Sequence, residues 1–146
     1  MKIALVSMPW SLFNRPSIQL GALKSYLESR DVCSVDCFHP YLGAARQLGP
    51  QLYQYLSKNS WAGEALYSSF VFPERKEQAR KVFKTSCDDY KEIVPQFDPI
   101  CSMLQEHLND WFTSIDFNAY GLIGFSVCFS QLFSSLAAAK FIKKQS

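Results

Sequence analysis

A chain of 146 residues, 48% of them hydrophobic and 19% charged, has the length and composition of one folded domain, which excludes an intrinsically disordered protein. Its formal net charge of +2 is too small to predict a nucleic-acid surface or an anionic-membrane surface, so we expect neither partner. The apolar run at residues 3–6 is too short for a signal-peptide core or a membrane span. We therefore predict a cytoplasmic protein.

The strand and helix patterns at the start of the chain indicate an α/β fold. Residues 2–7, KIALVS, have the apolar run typical of a strand buried on both faces. A helix is predicted to open at Pro16, because proline suits the first helical position. The apolar face of this helix is predicted to comprise Ile18, Ala22, Leu23, Tyr26 and Leu27. Residues 32–38, VCSVDCF, predict a second strand, so the three elements form a βαβ unit with parallel strands.

Residues 41–116 contain no further strand pattern, which predicts a helical insertion between the second and third strands. Its clearest helix has Asp98 as the N-cap and Pro99 at the first position. His107 lies on the apolar stripe of that helix, where we expect packing rather than metal ligation because companion ligands are missing.

The third strand is predicted at residues 121–129, GLIGFSVCF, and a helix at residues 132–144 follows with Leu136, Ala137 and Phe141 inward. The fold class is therefore α/β, a Rossmann-like parallel sheet of flavodoxin-like order with three strands. Doubly wound sheets normally have five or more strands. We accordingly predict that residues 1–146 are a single, incomplete N-terminal domain of a larger protein.

Five scattered cysteines predict reduced thiols rather than disulfides. Cys33 and Cys37 have the spacing that opens some iron–sulfur or zinc sites, but no third cysteine follows nearby. We expect both to be core thiols and Cys128 to be a strand residue. Because nothing in the sequence brings Cys128 to a histidine, and because Walker A, G-x-G-x-x-G and G-x-S-x-G motifs are missing, we predict no catalytic residue and no metal site.

The best candidate binding site lies where the first and third strands end, because ligands of open α/β sheets bind at the carboxyl ends of strands. Met8, Pro9 and Trp10 would form an apolar wall there, although packing of Trp10 and Phe13 on the insertion is the alternative. Arg15 is expected either to meet a phosphate or carboxylate at a helix start or to be simply exposed. The polar groups at this edge are Ser126, Ser130 and Gln131, with capping of the last helix as the alternative for Ser130.

Three segments carry a family resemblance: KIALVSMPWSLFNRPSIQLGALKSYLE, DCFHPYLGAARQLGPQLYQYL and GLIGFSVCFSQLFSSLAAAKFIK. Together they resemble the N-terminal cobalamin-binding-type domain of radical SAM enzymes that mature ribosomally made peptides, many of them C-methyltransferases. The resemblance implies cobalamin at the carboxyl edge of the sheet. The residues expected to line its site are Met8, Pro9, Trp10, Arg15, Gln19, Ser126, Ser130 and Gln131.

The same resemblance implies that catalysis needs a second domain. In the family, a following radical SAM barrel binds a 4Fe-4S cluster and S-adenosylmethionine through C-x3-C-x2-C, a motif that residues 1–146 lack. The D-x-H-x-x-G motif of many cobalamin modules is also missing, since Asp36, His39 and Gly43 have a wider spacing, so His39 is not assigned as a cobalt ligand. The expected partners are cobalamin, the barrel domain and a precursor peptide.

Two other functions remain open at the sequence level. In the first, the chain is a non-catalytic interaction module whose insertion binds a peptide or a partner domain through Trp61, Tyr67, Phe70 and Phe72. In the second, a different nucleotide-like cofactor binds at the same edge of the sheet.

Overall fold

The structure is a computed structural model that describes the backbone of residues 1–145 and their side chains except those of Val94 and Gln145. Its sheet has three parallel strands, β1 (Lys2–Ser7), β2 (Ser34–Phe38) and β3 (Leu122–Ser126), in the order β2–β1–β3. Ile3 is in register with Val35 of β2 and with Leu122 of β3. The structure thus confirms the predicted α/β class and the flavodoxin-like strand order.

The helices of the described range are α1 (Ile18–Glu28), α2 (Pro40–Leu48), α3 (Pro50–Lys58), α4 (Ser60–Val71), α5 (Lys76–Ser86), α6 (Phe97–Thr113) and α7 (Leu132–Gln145). Short 3₁₀ turns occur at Pro73–Arg75, Lys91–Gln96 and Phe117–Ala119. Helices α2 to α6 all lie between β2 and β3, which confirms the predicted helical insertion. None of the helices within residues 1–145 combines the length and the apolarity needed to cross a bilayer.

The two faces of the sheet contribute to cores of very different size. On one face, Ile3 and Leu5 of β1 pack with Leu20 of α1 and Val35 of β2. On the other face, Val6 belongs to a large core that the insertion and α7 supply. The insertion is therefore an integral part of the folded domain.

Helix α1 differs from the prediction in its start and in its buried face. It begins at Ile18, and Pro16 lies outside it, because the Ser17 hydroxyl accepts a hydrogen bond from the Leu20 amide at 3.4 Å and caps the helix. Leu20 is buried, whereas Ile18 is 78% exposed and Tyr26 is 57% exposed. Two strands lie under α1, so a narrow stripe of side chains suffices to cover them.

The N-terminus of α6 also differs from the prediction. The helix begins at Phe97, directly after the 3₁₀ turn Lys91–Gln96, and Asp98 is already inside its first turn. The Asp98 carboxylate pairs with Arg80, with 3.2 Å from Nη2 to Oδ1, and with Lys76 at 2.9 Å. The predicted N-cap is wrong because Asp98 makes ion pairs with α5 instead.

At the end of the chain, β3 is shorter than predicted. The Gln131 side chain accepts a hydrogen bond from the Cys128 amide at 3.0 Å, so the backbone turns and Cys128 is an exposed loop residue rather than a strand residue. In α7, Ala137 is buried as predicted and Phe141 stacks on Phe112 with ring centroids 4.1 Å apart. Leu136, which was predicted to face inward, is 42% exposed.

The cysteines are free thiols. Cys37 is a β2 residue, while Cys33 lies one residue before that strand, and both are half-buried against the small core on the α1 side. Within the part of the chain that the structure describes, no group of three or more His, Cys, Asp or Glu side chains is placed to hold a metal ion.

Candidate functional site

The two segments predicted to form the binding site do meet at the carboxyl edge of the sheet. Gln131 Nε2 donates a hydrogen bond to the Met8 carbonyl oxygen and lies 3.4 Å from Ser7 Oγ. The Ser134 hydroxyl donates to the Pro9 carbonyl oxygen. Because β1 and β3 are neighbours in the sheet, their carboxyl ends bring these loops together. Gln131 therefore links the loop after β1 to the loop after β3.

These contacts bury most of the side chains that were predicted to line the site. Met8 is fully buried and Trp10 is 3% exposed. The Trp10 ring lies 5.2 Å from the Tyr53 ring and 5.9 Å from the Tyr67 ring, and it covers Gly63, where a Cβ would approach Trp10 Nε1 to 2.5 Å. Packing on the insertion, the alternative left open for Trp10, is what the structure shows.

Three of the other predicted site residues, Arg15, Gln19 and Ser126, are more accessible. Arg15 is exposed, and its carbonyl oxygen accepts a hydrogen bond from Tyr41 at 3.3 Å. Gln19 is exposed with its Nε2 3.9 Å from Cys128 Sγ, so α1 reaches the loop after β3. Ser126 is half-buried opposite Ser7, whereas Ser130 is buried. Pro9 is buried as well, and ligand contact by any of these residues stays a prediction.

The N-terminus of α7 is already occupied by a carboxylate. Glu64 of α4 accepts hydrogen bonds from the Leu132 amide at 3.0 Å and from the Phe133 amide at 2.9 Å, one on each oxygen. A negative charge is favourable at this position because the first amides of a helix lack partners and carry the positive end of its dipole. Ser130, for which capping of this helix was the alternative to ligand contact, is buried in a left-handed conformation with φ 66°. Glu64 thus satisfies the first free amides of α7.

An open apolar groove lies just beyond the end of β3. We call it the Phe129 groove; it has a volume of about 600 Å³ and is formed by α4, the turn Pro73–Arg75, α5 and residues 129–133. Phe129 is 94% exposed and Trp61 is 73% exposed at this groove, and Phe72 and Val82 are each 42% exposed. A cluster of accessible apolar side chains of this kind is typical of a binding surface.

The groove contains two charged side chains, Glu64 and Arg75. The Glu64 carboxylate is bonded to α7, as described above. The Arg75 guanidinium has no ion-pair partner among the described residues. The groove therefore combines an apolar surface with one unpaired positive charge.

Sequence reasoning identified part of this surface. Trp61 and Phe72 were predicted to contact a peptide or a partner domain, and both line the groove. Tyr67 is fully buried and Phe70 is half-buried against it, with ring centroids 5.5 Å apart, so these two belong mainly to the core. Phe129 was missed because it was included in a strand; residues 127–129 continue the apolar run, so no local signal marks the end of β3 at Ser126.

Neither histidine lies among the residues that line the groove. His107 Nε2 donates to the Pro40 carbonyl oxygen at 2.7 Å, and its ring fills the space above Gly43, so it is a packing residue as predicted. Burial lowers the pKa of His107, and it also lowers the pKa of His39. The His39 ring packs against Tyr41 with centroids 5.5 Å apart. Burial thus favours the neutral form of both imidazoles. Their contacts are with Pro40 and Tyr41, whereas Cys128 contacts Gln19.

Comparison of the chain with protein-family models, with curated proteins and with solved structures gave no match.

Proposed function

We propose that this chain is a cofactor-binding module that holds cobalamin at the carboxyl edge of its sheet, as part of a radical SAM enzyme that modifies a ribosomally made peptide by C-methylation. The observation that supports a bulky organic ligand is the Phe129 groove, which the loop after β3 borders and which exposes Phe129 and Trp61. The identity of the ligand and of the reaction comes from the family resemblance of the sequence. In this proposal, the groove rather than the buried loop after β1 provides the main contact surface.

The groove supports the proposal for the corrin ring but offers no ligand for its cobalt. Its volume of about 600 Å³ and its aromatic side chains suit the flat face of a corrin ring that remains partly in solvent. No histidine lines it, so a nitrogen ligand to cobalt would not come from this surface. The resemblance tolerates this absence, because radical SAM relatives often bind cobalamin without such a histidine.

When bound, cobalamin supplies methyl transfer, and the residues of this chain bind and orient it. Glu64 holds the start of α7 against α4, and Gln131 holds the loop after β3 against the loop after β1. These two links fix the walls between which the ligand would lie. Formation of the substrate radical belongs, by resemblance, to a barrel domain with its own 4Fe-4S cluster and S-adenosylmethionine.

The test is retention of hydroxocobalamin through gel filtration, read as corrin absorbance that elutes with the protein. Phe129→Ser should bind cobalamin about fivefold more weakly, because an aromatic contact contributes on the order of 1 kcal/mol. Tyr26→Ser is the matched control, since Tyr26 is also exposed but lies on α1, away from the groove. Wild-type protein without retained corrin would refute the proposal. If Arg15→Ala reduced cobalamin binding and Phe129→Ser did not, the site would be assigned to the loop after β1 instead of the groove.

A second candidate function is favoured by the exposure of Trp61. An indole that is 73% exposed beside an apolar groove is also the kind of anchor that a peptide or a partner domain uses. In this case the module is a non-catalytic interaction domain on a Rossmann-like scaffold. Isothermal titration with candidate precursor peptides separates the two functions, because a pure cofactor module gives no heat with peptide, whereas Trp61→Ala should abolish the heat of an interaction module.

A further inference from the structure

We propose that Arg75 is the anion-binding residue of the Phe129 groove, and that the ligand of this groove joins an apolar body to a phosphate-type anion. This inference rests on the proposed function, since the corresponding group of cobalamin is the phosphodiester of its nucleotide loop. Arg75 closes the turn Pro73–Arg75 between α4 and α5 and lines the groove beside Phe72 and Gln78.

Two cations that follow Arg75 closely in the chain, Lys76 and Arg80, are engaged in ion pairs, which distinguishes Arg75 from them. Lys76 pairs with Asp98 at 2.9 Å, and Arg80 pairs with both Asp98 and Glu77. Arg75 has no such partner among the described residues. The positive charge that the groove presents to a ligand is therefore that of one guanidinium.

The acidic residue of the groove does not cancel this charge. Both oxygens of Glu64 accept hydrogen bonds from the first amides of α7, so its negative charge is matched by the positive end of that helix. An anion that enters the groove thus meets an uncompensated guanidinium on an apolar surface. Guanidinium binds phosphate oxygens through two parallel hydrogen bonds, and the bound ligand would exclude water and strengthen this interaction.

The experiment compares two ligands that share a corrin ring. Cobalamin carries the phosphodiester together with a ribose and a benzimidazole base, and cobinamide lacks all three, so the contribution of the phosphate is read from the effect of Arg75→Gln on the difference between the two ligands. We expect wild-type protein to bind cobalamin about tenfold more tightly than cobinamide, consistent with one charge-assisted contact. Arg75→Gln should remove this difference by weakening cobalamin binding about tenfold while changing cobinamide binding less than twofold. Arg75→Lys should keep part of the preference for cobalamin, because lysine keeps the positive charge but lacks the two parallel N–H donors of the guanidinium group.

Lys84→Gln provides the matched control, since Lys84 is an exposed cation of α5 that does not line the groove. It should leave both affinities unchanged. Equal losses for both ligands in Arg75→Gln, or no loss for either, would overturn the role of Arg75 while the proposed function stands. If wild-type protein bound neither ligand, the proposed function would fail and the role of Arg75 with it. Urea unfolding of Arg75→Gln checks that the variant remains folded.

Discussion

The carboxylate of Glu64 is the most informative single group to remove, because it joins the insertion to the last helix. Glu64→Ala deletes two charge-assisted hydrogen bonds, to the Leu132 amide and to the Phe133 amide. Loss of a helix N-cap costs about 0.5–2 kcal/mol, and loss of a favourable charge at the helix end costs about 0.3–1 kcal/mol. Glu64 is partly exposed, so water replaces some of what is lost. We expect a loss of about 2 kcal/mol in the free energy of unfolding.

Urea unfolding measures this loss as a lower midpoint at an unchanged slope, and thermal unfolding should show a Tm about 4–8 °C lower. Glu64→Gln keeps one carbonyl oxygen as an acceptor and should lose about 1 kcal/mol. Glu106→Ala is the control, because Glu106 is exposed on α6 with a single contact of 3.4 Å to Gln47, and it should change stability by less than about 0.5 kcal/mol. A Glu64→Ala variant as stable as the control would refute the anchoring role of this side chain.

Two further predictions concern packing and acid stability. Gly63→Ala places a Cβ 2.5 Å from Trp10 Nε1 and should lower the free energy of unfolding by about 1–3 kcal/mol. Gly21→Ala meets open space on α1 and should raise this free energy by about 0.5–1 kcal/mol. Urea unfolding that shows a change of the same sign for both variants would contradict this. Arg80, followed by Lys76, lowers the pKa of Asp98 to about 2, below its ordinary value of 3.8, so the stability that Asp98 contributes is present above the ordinary value and is lost as pH falls toward the lower one. Asp98→Asn should therefore lose less unfolding free energy than the wild type between about pH 4 and pH 2. The difference should be less than about 1 kcal/mol, because the Asp98 side chain is 46% exposed. An equal loss in both proteins, measured by urea unfolding, would count against the ion pair.

The fold was predictable because its signals are local. The apolar run of residues 2–7 and the alternation around Val35 indicate strands, and the lack of strand patterns in residues 41–116 indicates helices. Boundaries were less accurate where a side chain from elsewhere intervenes. Gln131 ends β3 by accepting a hydrogen bond from the Cys128 amide. Asp98 forms an ion pair with Arg80 instead of capping α6.

The sequence predicted where the two loops of the candidate site meet, but not which of their side chains are accessible to a ligand. The pairing of β1 with β3 follows from the strand order, so the approach of Met8 to Gln131 could be expected. The burial of Trp10 depends on Tyr53, 43 positions later in the chain, and no local pattern carries that information. The same holds for Glu64, which contacts α7 across a separation of 68 residues.

The links at the carboxyl edge also bear on how the domain folds. Gln131 and Ser134 bind Ser7 and Pro9, groups 124 and 125 positions earlier in the chain. Contacts of such long range close late, because their loop entropy must be overcome before they stabilise anything. Within the insertion, α5 packs mainly on α4, its neighbour in sequence, and a local pair of this kind can form before that. On the ribosome, β1 would remain without its β3 neighbour until nearly the whole of the described chain has been synthesised, so the candidate site is completed only after the insertion has emerged.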